Sequence, residues 1–190
     1  MRVKMNTEPE TIGVSKKERT MMTSRLKPKQ PHSGYLEGDL TCWLGEREVL
    51  KLALEAVQTV PCPLPGIPGD HGQILRPQMM LTLLVYCYCA SLYGSRDIEW
   101  ATHNNKTVRY ICARTYPDWL AIRRFRRQHR DLVGQCLAHI LREAWAWIWD
   151  HEETESESGL RFEPDFYQQV AATVKTKIET AAIMDGAESD

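Results

Sequence analysis

The sequence lacks the features that mark exported and membrane-spanning proteins. The first 30 residues carry basic side chains but no apolar segment of signal-peptide length. The longest apolar run, Met79 to Leu92, is interrupted by Thr82 and Ser91 and is too short to cross a bilayer. We therefore expect a cytoplasmic protein without a membrane partner.

Metal-binding and catalytic patterns are also missing. The six cysteines include no Cys-x-x-Cys pair. Cys136 and His139 are three residues apart on a predicted helix and could share a zinc ion, but no second pair has metal spacing. Cys87 and Cys89 lie in an apolar run, where burial as small side chains is the usual role. We expect no metal, no cofactor and no catalytic residue, and hence not an enzyme in its own right.

Charge is present but unevenly distributed, although the net charge is only -1. Residues 1–30 hold eight Lys/Arg and three Asp/Glu, and residues 106–130 hold eight and one. Residues 150–190 reverse this balance, with three Lys/Arg and eleven Asp/Glu. Local potential governs association, so the two basic segments favour a nucleic-acid partner. Alternatively, the acidic tail covers the second basic segment within the same molecule.

The apolar periodicity predicts an all-α fold, with a compact multi-helix domain and an additional C-terminal helix. Composition and the positions of proline and glycine divide the chain into four parts. They are a disordered basic arm (1–34), the helical domain (35–149), an acidic linker (150–162) and the C-terminal helix (163–184). The last helix has a narrow apolar stripe from Phe166 to Ile178. We expect that stripe to dock on the domain or on another copy of the chain.

An arginine-rich helix is predicted to begin at Pro117-Asp118, because proline and an acidic residue both suit a first helical turn. Ile122, Phe125 and His129 recur at spacings of three and four, so they share one buried face, which Leu132 and Val133 extend. The other sides carry five arginines and no acid that would pair with them inside the helix. The guanidinium groups therefore need an anion from elsewhere, either a nucleic-acid backbone or acids of the same protein.

A short predicted helix from Lys106 to Cys112 precedes the arginine helix, and a tight turn joins the two. Such a pair is typical of a helix-turn-helix-like unit. The candidate DNA-binding residues of this unit are Lys106, Arg109, Arg114, Arg123, Arg124, Arg126, Arg127 and Arg130.

Three sequence blocks resemble the N-terminal helical domain of InsH-like bacterial insertion-sequence transposases. The blocks are Leu83-Leu84-Val85-Tyr86-Cys87-Tyr88, Ser95-Arg96-x-Ile98-Glu99 and Pro117-Asp118-x3-Ile122-x2-Phe125-Arg126-x2-His129. The resemblance extends over roughly residues 40 to 149. Cys87 and Ser91 stand where the family often has glycine, and the turn before Pro117 lacks the family's usual glycines.

The resemblance implies a domain that binds the terminal inverted repeats of a transposon. In that family a separate DDE domain performs strand cleavage with two magnesium ions, and no strand carrying its first aspartate follows residue 149. We therefore expect a transposase DNA-binding domain that is truncated or stands alone and binds double-stranded DNA at transposon ends. The alternative is a helical interaction module that self-associates or regulates full-length transposase.

Overall fold

The computed structural model describes residues 34–61, 65–69, 74–152 and 164–187. The predicted basic arm, apart from its last residue Gly34, and most of the predicted acidic linker lie outside these residues. In chain order the elements are α1 (Gly34–Glu37), α2 (Thr41–Leu44), α3 (Glu46–Thr59), β1 (Ile67–Pro68), β2 (Ile74–Leu75), α4 (Pro77–Cys89), α5 (Ser95–Asn104), α6 (Lys106–Cys112), α7 (Trp119–Gln128), α8 (Arg130–Glu152) and α9 (Pro164–Ala187).

The described part of the chain is almost entirely helical, which confirms the predicted fold class. Helix α6 has its predicted bounds, whereas α8 continues to Glu152, past the domain end predicted at residue 149. Helix α9 ends three residues later than the predicted residue 184. The two short strands pair antiparallel, with Ile67 opposite Leu75.

Helix α4 forms the centre of the core. Pro77 opens it, at a position where the missing backbone N–H has no helical partner in any case. Every side chain from Met80 to Cys89 is buried, and α3, α6, α7 and α8 pack around the helix. Burial raises the pKa of the Cys89 thiol to about 12, so this side chain remains neutral.

The predicted burial of Cys87 and Cys89 is confirmed, and two further cysteines are buried as well. Cys87, Cys89, Cys112 and Cys136 are buried, as expected of small core residues. Cys42 is exposed, because it lies on the outer side of the short helix α2. The remaining cysteine, Cys62, is outside the described residues.

Three of the described residues other than glycine adopt the left-handed backbone conformation, and they lie where the family resemblance leads one to expect glycine. Ser91 (φ 55°) follows α4, where Leu92 N donates to Cys87 O at 2.8 Å and Ser91 N donates to Tyr88 O at 3.3 Å. These two bonds form a Schellman motif that ends the helix. Ala113 (φ 48°) and Arg114 (φ 68°) follow α6 in the same conformation. The turns therefore keep a glycine-like geometry without glycine.

The arginine helix α7 begins at Trp119, with Asp118 as its N-cap residue, and ends at Gln128. Ile122 and Phe125 are buried, and His129 and Leu132 are half-buried. The Phe125 and His129 rings lie 4.6 Å apart between centroids. The predicted buried face is therefore confirmed.

Helix α5 positions the helices on either side of the turn before Pro117. Both α6 and α7 pack against α5 and α4, and these contacts are more extensive than any contact between α6 and α7 themselves. The two helices thus depend on a common support. Whether they act as a helix-turn-helix unit stays a prediction.

Helix α9 docks on the same chain, along α8 and against α1 and α5. Phe166, Val170 and Ala181 are buried, and the Phe166 ring lies 5.4 Å from the Trp145 ring between centroids. A Cβ atom on Gly134 of α8 would lie 3.5 Å from Ile178 Cδ1, an ordinary van der Waals distance, so the Ile178 side chain packs directly on α8 at this position. The predicted stripe is thus covered within one molecule.

The docked face of α9 also carries a buried lysine, which the apolar stripe did not predict. Lys177 is 2% exposed, and its ammonium group donates to Glu37 O (3.0 Å) and Gly38 O (3.2 Å). It also lies 3.3 Å from Tyr88 O, near the end of α4. Carbonyl groups at helix C-termini carry partial negative charge, so a cation is stabilised there. Lys177 therefore ties α9 to the ends of α1 and α4.

We expect Phe125→Ala to lower the free energy of unfolding by about 3 kcal/mol, because it removes a large, fully buried ring. Urea denaturation measures the change. The matched control on the same helix is Leu120→Ala, whose side chain is 49% exposed and whose loss should change stability by about 0.5 kcal/mol or less. Equal stability of the two variants would mean that Phe125 does not pack in the core.

We expect Ala113→Gly to stabilise the protein by about 0.5 to 1 kcal/mol, because glycine removes the steric penalty of the left-handed conformation. Thermal unfolding followed by circular dichroism measures the shift. Ala101→Gly, at a helical position in α5, serves as the control and should destabilise. Destabilisation by both changes would contradict the left-handed geometry at Ala113.

Candidate nucleic-acid interface

The eight candidate DNA-binding residues lie on three helices and one turn. Lys106 and Arg109 are on α6, Arg114 is in the turn and Arg130 opens α8, and the other four are on α7. Six of the eight side chains are exposed, namely Lys106, Arg109, Arg114, Arg124, Arg127 and Arg130. Arg123 is half-buried and Arg126 is buried.

Arg126 points into the protein, which corrects its expected role as a DNA contact. Only 7% of it is exposed. Its Nη1 atom donates to Ala181 O at 2.7 Å and lies 3.5 Å from the Asp185 carboxylate, and its Nη2 atom donates to Ser95 Oγ at 3.0 Å. The physical reason is helical spacing, because position 126 follows Ile122 by four residues and shares its inward side.

The buried arginine is part of a polar cluster between α5, α7 and α9. Ser95 Oγ donates to Asp185 Oδ1 at 2.5 Å, so the serine links the arginine and the carboxylate. The guanidinium carbon also lies 5.6 Å from the Tyr88 ring centroid. Burial raises the pKa of the Tyr88 hydroxyl well above its usual range, so the guanidinium faces a neutral ring. Asp185 is the acid that pairs with Arg126. For this one arginine the anion is therefore an acid of the same protein, which was one of the two alternatives that the sequence left open.

The exposed side of α7 forms an open groove of about 590 Å³, which we call the arginine groove. It is lined by Leu120, Arg123, Arg124, Arg127 and Gln128, so none of the described residues lining it is acidic. Its three arginines are held on one rigid helix whose other face is in the core. A surface of this kind presents planar, permanently charged donors that suit phosphate groups.

Helix α9 borders the arginine helix without covering it. A second, smaller cleft of about 180 Å³ lies where Arg127 and Arg130 face Ile178, Ala182 and Asp185. Arg124 and Arg127 nevertheless remain exposed. The docked C-terminal helix therefore covers one flank, at Arg126, and leaves the arginine groove open.

The exposed face of α6 adds a second group of basic side chains. Lys106 and Arg109 are three residues apart and both exposed, and Tyr110 beside them is 69% exposed. The helix begins regularly, since the Asn105 side chain accepts hydrogen bonds from Thr107 N (2.9 Å) and Val108 N (3.0 Å). Arg114 projects from the turn that follows.

Exposed aromatic residues on α5 are a feature that the sequence interpretation missed. Trp100 is 67% exposed, and the His103 ring stacks on Tyr116 at 4.5 Å with an angle of 13° between the planes. Arg96, one turn before Trp100, lies over the Trp119 ring at 5.1 Å. The spacing of Arg96, Trp100 and His103 is i, i+4, i+7, which places all three on one helix face. That spacing is the sequence signal from which this helix face could have been predicted.

Metal-ligand geometry and membrane-spanning helices are both absent from the part of the chain that the structure describes. No group of three His, Cys, Asp or Glu residues there could hold a metal ion. Cys136 instead lies in the core with its thiol 3.8 Å from Ala56 O. No described helix is both long and apolar enough to cross a bilayer.

We expect Arg126→Ala to lower the free energy of unfolding by about 3 kcal/mol, because it leaves the Asp185 carboxylate buried without its ion-pair partner. Urea denaturation of Arg126→Ala, Asp185→Ala and the double variant gives the coupling energy, expected at about 1 kcal/mol or more. The exposed neighbour Arg127→Ala is the control and should leave stability nearly unchanged. Additive losses at Arg126 and Asp185 would show that the two side chains do not interact.

Comparison with known families supports a relationship to transposases. Residues 68–128 match the family model described as Transposase domain (DUF772). The match covers about a third of the chain and includes α4, α5, α6 and α7. No curated protein and no solved structure matches the sequence. The segment that carries the arginine groove is therefore similar to a transposase domain.

Proposed function

We propose that this chain binds double-stranded DNA through the arginine groove, with the terminal inverted repeats of a transposon as its specific site. The observation that carries the proposal is the groove itself, where Arg124 and Arg127 are exposed on one helix and no described lining residue is acidic. The similarity of residues 68–128 to a transposase domain adds that DNA is the polyanion to expect. The narrower InsH-like assignment remains part of this proposal.

Each basic residue has a role that follows from its placement. Arg124 and Arg127 are exposed on the outer side of α7 and would contact phosphates or guanine edges. Arg123 lines the same groove, and Arg130 extends it at the start of α8. Lys106, Arg109 and Arg114 would contact the backbone from α6 and the turn. Arg126 supports this surface from inside, by holding α7 against α5 and α9.

The size of α7 suits a helix that enters a groove of DNA. Its ten residues span roughly 15 Å along the axis, and an α-helix with its side chains is about 10 to 12 Å across. The DNA major groove is about 12 Å wide, which admits one helix with its side chains. Ile122 and Phe125 on the inner face of α7 are buried in the core. The helix can therefore present the arginines of its outer face while it stays packed on the domain.

The alternative, an interaction module that self-associates through α9, has less support. The apolar stripe of α9 that would mediate pairing is occupied by α8 of the same chain. Its buried charges Lys177 and Asp185 also have partners inside the domain. Exposing that face for a partner would break these contacts.

We expect the full chain to bind duplex DNA with an affinity that falls steeply with salt. If about five phosphates are neutralised, log affinity plotted against log salt concentration should have a slope of roughly -4 to -5. Fluorescence anisotropy with a random duplex and with the inverted-repeat duplex measures both the slope and the preference. The preference for the inverted repeat tests the specific site, and the slope tests the electrostatic surface.

We expect the double variant Arg124→Ala, Arg127→Ala to reduce that slope by about 2, because two phosphate contacts are lost. The matched control is Arg47→Ala, which removes an exposed arginine from α3. It should leave slope and affinity unchanged. An equal loss in both variants, or no loss in either, would reject the arginine groove as the contact surface.

A further inference from the structure

We infer that α5 and α6 carry a second DNA-binding site, which takes unpaired nucleobases next to the duplex held by the arginine groove. The site is the aromatic strip, defined by Trp100, His103, Tyr110 and Tyr116. The inference rests on the proposed duplex binding and adds a different chemistry to it, namely stacking on exposed rings.

The aromatic strip consists of rings that the fold does not use for its core. Trp100 and Tyr110 are 67% and 69% exposed, although their helices bury other side chains such as Ile98 and Val108. An isolated exposed aromatic residue needs no explanation, whereas four on α5, on α6 and in the turn that follows offer flat rings to a ligand that spans these elements. Helices α5 and α6 pack against each other and are separated only by Asn105.

The geometry of one pair indicates stacking. The His103 and Tyr116 rings are nearly parallel, at 13°, with centroids 4.5 Å apart. Tyr116 remains 38% exposed in this arrangement. On this inference a further flat ring extends the stack, and unpaired bases offer such a ring irrespective of sequence.

Positive charges border the rings as single-stranded nucleic acid requires. On α6, Lys106 lies one turn before Tyr110 and Arg109 lies directly before it, and both are exposed. On α5, Arg96 is exposed one turn before Trp100. Arg114 lies two residues from Tyr116. Backbone phosphates need such cations while the bases stack on the rings.

Acidic side chains limit the strip on one side. Asp39, Glu46 and Asp97 line a cleft of about 440 Å³ to which Trp100 contributes one wall. Carboxylates repel phosphates, so this cleft directs the strand away from it. On the other side, Arg96 reaches the Trp119 ring at the start of α7, which joins the strip to the arginine helix.

Paired bases are not a suitable ligand for the strip. In a duplex their faces are covered by neighbouring bases, and only unpaired or extruded bases expose them. The strip therefore distinguishes a duplex with a single-stranded extension from a blunt duplex. The electrostatic attraction of the arginine groove makes no such distinction.

The test compares three fluorescein-labelled probes by anisotropy: a blunt 20-base-pair duplex, the same duplex with a five-nucleotide dT extension, and free dT of 12 nucleotides. We expect the full chain to bind the extended duplex at least about fivefold more tightly than the blunt one, since each stacked base adds a factor of this order. The double variant Trp100→Ala, Tyr110→Ala should lose that ratio and keep its affinity for the blunt duplex. Both side chains are exposed, and circular dichroism would verify that the variant is folded.

Two further variants separate this inference from the proposed function. Arg124→Ala, Arg127→Ala should weaken binding to both duplexes and keep their ratio. Tyr167→Ala, which removes a 55% exposed ring on α9, is the aromatic control. It should change neither the affinity for the two duplexes nor the ratio of the two affinities. Equal affinity of the full chain for blunt and extended duplexes, or a ratio that survives the loss of Trp100 and Tyr110, would overturn the aromatic strip alone. Binding to dT without binding to duplex would overturn the arginine groove alone, and binding to no probe would overturn both.

Discussion

The ion pair between Arg126 and Asp185 is the contact on which the arrangement of this protein depends. It joins α7 to α9 in the core and includes Ser95 at the start of α5. A buried guanidinium is tolerated only with such partners, because an unpaired charge in the interior is strongly unfavourable. The pair therefore fixes the rotation of α7 about its axis. With Arg126 directed inward, Arg124 and Arg127 are directed outward.

The C-terminal helix belongs to the core for the same reason. Its Lys177 binds carbonyl groups at the ends of α1 and α4, and its Asp185 binds Arg126. These contacts lie along one face, together with the apolar residues that pack on α8. Helix α9 thus reaches the basic helix through one buried carboxylate, and Arg124 and Arg127 remain exposed beside it.

Charge separation on the surface follows from this packing. Carboxylates of Asp39, Glu46 and Asp97 line a cleft beside Trp100, whereas arginines line the groove on α7. A net charge of -1 conceals both surfaces. For a polyanionic ligand the local potential is decisive, and Trp100 of α5 lies at the acidic cleft.

The sequence by itself determined the helical fold, the bounds of α6 and the buried face of α7, because apolar spacing at three and four residues reports directly on local helix geometry. It also identified the region of the candidate site. Helical spacing places Arg126 on the same side as Ile122, but it did not show that a charged side chain would be buried there, since the partner acid Asp185 is on α9. Nor did it distinguish Lys177 from a solvated lysine. Only the tertiary structure decided these points, because burial of a charge depends on which distant groups converge around it, and sequence spacing does not contain that information.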